Sequence, residues 1–269
     1  MPELLIHPGE PRPGEPVVRV TPESAGWDYT GFEVHRLADG EERSFDADGR
    51  ELCAVMLGGR ADVGAGDRSF EGVGDRANVF DGLPAAVHAP AGHALSVRAV
   101  GGEAEVALCW SPAEGTDALE PALIEPGDIQ VEIRGSGSME RRVHPILMAD
   151  RQAERLLVVE VITPGGNYSS YPPHKHDRDD PPRETLLEEV YYHRIDPAQG
   201  FGMQRVYTDD RSLDETITFS DGDVVLVPRG YHTVSAPPGY DVYYLNVMVG
   251  PRREWHFVND PDHEWLFGR

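Results

Sequence analysis

The chain has 269 residues, with 24 Lys plus Arg against 47 Asp plus Glu and a formal charge of −23. That length allows one large β domain or two ordinary domains with a sizeable core, and the charge excludes most nucleic-acid binders, which need a basic face to meet phosphate. No apolar run reaches the roughly 18–20 residues that span a bilayer, and the acidic, Pro-rich start (MPELLIHPGEPRPGEP) does not read as a signal peptide.

Taken in chain order, alternating or β-branched runs at 16–21, 52–57, 60–63, 95–100, 105–109 and 129–133 predict strands in the first half. Runs at 156–163, 189–195, 202–208, 216–219, 224–227 and 242–249 continue the pattern in the second. Gly, Pro, Asp and Asn clusters punctuate them every 8–12 residues, the spacing of an all-β sandwich or barrel. Helical signals are confined to short candidates at 149–155 and 212–215. Cys53 and Cys109 lie in apolar runs without C-x-x-C spacing and read as buried thiols of a reducing, cytoplasmic compartment.

The segment 121–128 (PALIEPGD) reads as a connector, which divides the chain into domains at 1–130 and 131–269. The halves differ chemically. Residues 1–133 hold 25 acids and 9 bases, residues 134–269 hold 22 acids and 15 bases, and nine of the ten tyrosines fall between Tyr168 and Tyr244. They also share a faint pattern: 74–80 (GDRANVF) followed by VHAP at 87–90, and GDVVLVP at 222–228. Each reads as a turn feeding a strand that ends in Pro, which suggests duplication of one β-barrel.

The densest group of metal-capable side chains is YPPHKH at 171–176. Two prolines enforce extended backbone, so period-2 alternation puts His174 and His176 on one face and Lys175, the only lysine, on the other. Glu189, opening the run EVYYHRI, supplies a carboxylate, with its neighbour Glu188 as a rival. His232 follows the turn–strand–corner segment GDVVLVPRGYH. Three imidazoles and one carboxylate around open positions suit catalysis on a divalent first-row metal: zinc first, with Mn, Fe or Ni as alternatives.

This constellation resembles the two cupin motifs, H-x-H followed by Glu and then G…P-x-G…H, although the gap from His176 to Glu189 is long. Over roughly 135–266 the segments VVEVITPGGNYSSYPPHKHD, LEEVYYHR, QGFGMQRVYTDDRSLDET and GDVVLVPRGYHTVSAPPGYDVYYLNVMVGP resemble the 5-deoxy-glucuronate isomerases. The resemblance implies a bicupin: two tandem jelly-roll-like β-barrels, a metal-free one over 1–130 and a C-terminal one over 131–269 carrying metal and active site. It favours Glu189 over Glu188 as the ligand, because the family's Glu stands directly before a Val-Tyr pair. It also implies an aldose–ketose isomerase converting 5-deoxy-D-glucuronate to 2-deoxy-5-keto-D-gluconate in myo-inositol catabolism.

Such a reaction moves a proton through an enediolate, or moves a hydride directly, and builds negative charge on oxygen. Candidates for the base are Glu188, His193, Tyr243 and Tyr244. The substrate carboxylate calls for a guanidinium, with Arg205 first and Arg142 beside His144 next. His7, His35, His88 and His93 lack H-x-H neighbours, and Trp255, Trp265 and Phe267 read as covers for a barrel edge or subunit contact. The expected partner is a small sugar acid, and exposed sheet edges point to a homo-oligomer. Two other classes share the ligand pattern: an Fe(II) cupin oxygenase, and a sugar- or metal-binding cupin without catalysis.

Overall fold

Each predicted apolar run overlaps a strand in the computed structural model, which describes residues 3–10, 12, 14–47, 49–115 and 118–268. The alternation is plain where one face meets the core. Ala61, Val63 and Ala65 of strand Ala61–Ala65 are buried, as are Leu95, Val97 and Ala99 of strand Leu95–Ala99, and the residues between them point outward. Strands Arg50–Gly58 and Asp241–Val249 are buried almost throughout, which explains their near-continuous apolar sequence.

The sequence signal fails on exposed edges. Glu42–Phe45 (ERSF) and Arg68–Val73 (RSFEGV) are strands whose charged, half-exposed residues hide them. The helical candidates are corrected too. Residues 149–155 form turns and irregular backbone, and 212–215 run into strand Asp214–Phe219. Within 121–128 lie a short strand, Ala122–Ile124, and a 3-10 turn, Pro126–Asp128. The single α-helix, among the described residues, is Pro22–Ala25, capped by the Thr21 and Ser24 side chains.

The chain divides into two compact units that are discontinuous in sequence: residues 8–130 with 144–159, and residues 1–7, 131–143 and 160–269. The first unit pairs a six-stranded sheet, in the order 122–124, 86–89, 50–58, 104–112, 31–37, 18–20, with a four-stranded sheet, 42–45, 95–99, 61–65, 68–73. An apolar core built from both sheets fills it, including Leu52, Met56, Val63, Leu95, Val97 and Leu108. In the second half a seven-stranded sheet runs 5–6, 224–227, 188–196, 241–249, 157–163, 141–147, 132–134, and a five-stranded sheet runs 214–219, 202–207, 231–235, 168–175, 258–259.

The two orders are one topology used twice. The run 86–89, 50–58, 104–112, 31–37 matches 224–227, 188–196, 241–249, 157–163, and 42–45, 95–99, 61–65, 68–73 matches 168–175, 231–235, 202–207, 214–219. Strands Ala86–Ala89 and Val224–Val227 are counterparts and both end at a proline, Pro90 and Pro228. The faint sequence repeat therefore has a structural basis.

Candidate metal centre and active site

Strand Tyr168–Lys175 delivers His174 directly opposite His232 of strand Tyr231–Ser235, with ring centroids 4.5 Å apart. The His176 ring, just past the strand end, lies 5.2 Å from His232 and 6.1 Å from His174. One ligating nitrogen from each of the three lies within 4.8 Å of the others. Gly230 makes the corner that turns His232 inward. Its φ is +96°, and a Cβ there would stand 2.5 Å from the Tyr207 carbonyl oxygen, so no other residue fits without moving backbone.

Glu189 comes from the opposite sheet, on strand Glu188–Asp196. Its Oε2 lies 3.1 Å from His176 Nε2 and 3.0 Å from His232 Nε2. The other nitrogens are already committed: His176 Nδ1 is 3.0 Å from the Leu187 carbonyl and His232 Nδ1 is 3.1 Å from the Gly230 carbonyl. A carbonyl only accepts, so both Nδ1 atoms carry hydrogen, and each ring, when neutral, turns an Nε2 lone pair toward a carboxylate oxygen. Buried His232 Nε2 has no hydrogen-bond partner among the described residues. Lone pairs converging on an anion need a positive centre between them, which fits a divalent metal held by His174, His176, His232 and Glu189.

Electrostatics follow the same geometry. Burial alone would raise Glu189, but His232 and His176 outweigh it and hold the carboxyl far below its usual range. Burial also opposes the charging of His176, yet its bond to Glu189 raises it. His174 is held low by burial, then by His232 and His176.

Beside the centre stand Tyr191 and Tyr244, ring centroids 4.9 Å apart, with hydroxyls 3.1 and 3.3 Å from Ser170 Oγ. Ser170 reaches them from a positive φ of 48°, uncommon for a residue with a Cβ and placed here beside the histidines. Burial pushes both phenols above their ordinary range, so they are neutral donors at physiological pH. His193 lies deeper, stacked on Phe219 at 3.6 Å with Nε2 bonded to Gln204 Oε1 at 3.0 Å, and burial pushes it down to about 3.

Comparison with known proteins agrees with the geometry. Residues 4–266 match the model of the KduI/IolB family. The chain belongs to the KduI/IolB family. It is 53% identical over 267 residues to the 5-deoxy-glucuronate isomerase of Geobacillus kaustophilus, covering 99% of this chain and 96% of that one. The 5-deoxy-glucuronate isomerase of Listeria monocytogenes is 51% identical over 243 residues, covering 90% and 88%. The crystal structure of an IolB-like protein from Salmonella typhimurium superposes with a TM-score of 0.94 at 44% identity, over 98% of this chain and 99% of that one. Oxalate decarboxylase from Lactobacillus farciminis, at 16% identity, has a TM-score of 0.67 over 93% and 85%, a likeness of bicupin fold alone. This member of the family is an enzyme of the isomerase class with an all-β, cupin-like fold. No described helix is long and apolar enough to cross a membrane.

The geometry sorts the remaining predicted residues. Glu188 and Tyr243 fall on the opposite face of their strands from Glu189 and Tyr244 because the 188–196/241–249 pairing runs without a bulge, and Tyr243 instead donates to Glu160 at 3.0 Å. The Arg205 side chain points out of the barrel. Its Nε and Nη2 donate to both Asp214 oxygens at 2.9 and 3.0 Å on the partly exposed side of its strand. Arg142 is exposed, and His144 lies in the other unit. Lys175 pairs with Asp209 and lies 4.7 Å from the Tyr231 ring centroid, away from the metal ligands. Trp265 and Phe267 are exposed, whereas Trp255 and Phe257 stand beside the His174 ring at 6.4 and 4.9 Å. Sequence reasoning missed Ser170 and Phe257. Neither carries a motif.

Proposed function

We propose that this chain isomerises 5-deoxy-D-glucuronate to 2-deoxy-5-keto-D-gluconate at a divalent metal, zinc first among the candidates, held by His174, His176, His232 and Glu189. The observation that carries the reading is the meeting of His176 and His232 Nε2 on Glu189 Oε2 while both Nδ1 atoms are spent on carbonyls. The relatives, themselves 5-deoxy-glucuronate isomerases, supply the substrate.

When bound, the metal supplies charge stabilisation for the oxygens on which negative charge develops during aldehyde-to-ketone conversion. The chain's own groups do the rest. The Tyr191 and Tyr244 hydroxyls, kept protonated by burial, donate to the substrate's reacting oxygens, and Ser170 holds them at one point. His193 is neutral and enclosed, four residues along the strand from Glu189 or roughly 13 Å at the usual strand rise. Its part is to fix the Tyr191 face of the barrel by packing.

The test is incubation of purified enzyme with 5-deoxy-glucuronate, without oxygen, with and without chelator. Keto-acid formation that chelation abolishes and metal restores is the expected result. Product formed equally after complete metal removal, or only with consumption of oxygen, would overturn it. Running the reaction in deuterated water separates the routes, since solvent label at the accepting carbon marks an enediolate and its absence marks hydride transfer.

A further inference from the structure

Residues 132–147 form a hairpin in which Glu132–Arg134 pairs antiparallel with Arg141–Leu147, placing Arg134 directly opposite Arg141. The Asn167 side-chain amide donates to the carbonyls of Gly137 (3.3 Å) and Glu140 (2.8 Å), which ties the hairpin tip to the approach to strand Tyr168–Lys175, the strand of His174. Two like charges opposite each other on a ladder are unfavourable. Only one of them is answered by the protein. Arg134 pairs with Glu132 at 2.7 Å and lies 5.5 Å from the Trp255 ring centroid, itself 6.4 Å from His174.

Arg141 has no carboxylate partner among the described residues, in a chain with 47 acids. Its one hydrogen bond runs from Nη1 to the Met139 carbonyl at 3.1 Å. That leaves Nε and Nη2, the edge of the fork that meets a carboxylate with two parallel bonds. The guanidinium also has a built seat. A Cβ on Gly135, whose φ is +79°, would stand 2.8 Å from Arg141 Nη1 and 2.2 Å from the Met139 carbonyl oxygen. Directly opposite residues of a ladder share one face, so Arg141 stands on the side of the hairpin where Arg134 meets Trp255, the ring beside His174.

We propose that the Arg141 guanidinium is the receptor for the carboxylate of the substrate, a sugar acid whose aldehyde end reacts at the metal. The assignment rests on the reading of the function above. It fits the substrate's chemistry: the carboxylate ends the six-carbon chain opposite the reacting aldehyde, so its receptor must be a cation set apart from the metal ligands and sharing their mouth. A partly buried arginine that no carboxylate of the described residues answers, on the same hairpin face as the Arg134 that lies over Trp255, meets that need. Arg205, neutralised by Asp214, does not.

The test compares Arg141→Met and Arg141→Lys with the parent, each metal-loaded, on 5-deoxy-glucuronate and on 5-deoxy-glucose, which keeps the aldehyde end and replaces the carboxylate with a hydroxymethyl group. Arg141→Met should lower kcat/KM for the acid by roughly 100-fold, mainly through KM, as expected for losing a bidentate charge-assisted pair. Turnover of the neutral sugar should stay within about threefold, and Arg141→Lys should recover part of the acid preference. Metal content and urea midpoint are measured on every variant, so that a folding defect is seen as a loss on both substrates. If Arg141→Met, folded and metal-loaded, keeps the parent's preference for the acid, or loses both substrates alike, the carboxylate assignment is wrong while the isomerase reading stands. If the parent itself does not isomerise the acid, the functional reading fails and takes the assignment with it.

Discussion

Glu189→Gln tests the metal centre most sharply, because proton and metal compete for the same place and the substitution separates them. Glu189 Oε2 lies 3.1 and 3.0 Å from the Nε2 atoms of His176 and His232. A fully charged pair at 3 Å is worth about 5 kcal/mol at an effective dielectric constant of ~20, and breaking a buried pair costs about 3–5 kcal/mol. That cost exists only while an imidazole is protonated. His176 is raised above its ordinary 6.5, so the stability it contributes is fully present below pH 6.5 and is lost as pH rises through its folded value. Glu189 is held below its ordinary 4.5, so its own contribution is present above that pH and is lost only in acid. The pair is therefore strongest near pH 5–6.

Metal-stripped Glu189→Gln should accordingly lose about 3–5 kcal/mol of unfolding free energy near pH 5.5 and under about 1 kcal/mol near pH 9, where the amide faces two neutral rings. With metal the order reverses. A carboxylate ligand exchanged for an amide should weaken metal binding by about 100-fold, which removes about 2.7 kcal/mol of metal-derived stability at saturation, most visibly at high pH where the imidazoles are free to ligate. Urea unfolding followed by tryptophan fluorescence, with and without metal at both pH values, measures all four states, and a competing chelator gives the affinity. A pH-independent loss in stripped protein together with unchanged metal affinity would refute the reasoning and make Glu189 a purely structural ion-pair partner.

Three further substitutions probe the surroundings. His193 is pushed down to about 3 from 6.5, so the unfolded chain takes up its proton first and the parent should lose about 2 kcal/mol between pH 7 and pH 5 that His193→Gln does not lose, measured on metal-stripped protein; equal acid sensitivity would contradict this. Tyr244→Phe removes a hydroxyl proposed to touch reacting oxygen, and should lower kcat by about 100-fold with metal content unchanged. Lys175→Met breaks a pair whose acid, Asp209, is 60% exposed, so it should cost under about 1 kcal/mol and leave kcat within twofold; a large loss of activity would bring Lys175 into the site.

What the sequence made legible was whatever obeys strand period. His174 and His176 follow from alternation and His232 from a Gly corner, without tertiary knowledge; alternation separates Glu188 from Glu189 but does not say which faces inward, and there the family resemblance decides. The same rule, applied to GMQRVY, separates Gln204, which reaches His193, from Arg205, which turns outward to Asp214. Choosing between Arg141 and Arg142 depends on a hairpin register set at Gly135 and the 3-10 turn Gly137–Met139, and no pattern in RRVHPI states it. Ser170 was out of reach for another reason, since its inward hydroxyl depends on a left-handed φ that only the folded environment imposes.

The repeated topology shows how the two halves fill equivalent positions differently. Strand Arg50–Gly58 is the counterpart of Glu188–Asp196, and Leu95–Ala99 of Tyr231–Ser235. In the first unit those strands turn Leu52, Ala54 and Met56, and Leu95, Val97 and Ala99, into one apolar core. In the second the facing positions hold Glu189, Tyr191 and His193 on one sheet and His232 on the other. A close-packed apolar interior has neither room nor ligands for substrate, and the first unit's own polar pair shows where its charge went. Glu51 is bonded to His88 and to the backbone N–H groups of residues 154–156, on the face of strand Arg50–Gly58 opposite Leu52. It is thereby spent on fastening a distant segment of its own unit. One strand order is used twice, and the two units differ in which residues fill equivalent positions. The net charge of −23 follows the same division: most of it is carried by residues 1–133, while the anionic substrate proposed here meets Arg141 and the metal ligands at distances where screening over about 8 Å removes the rest of the chain from the balance.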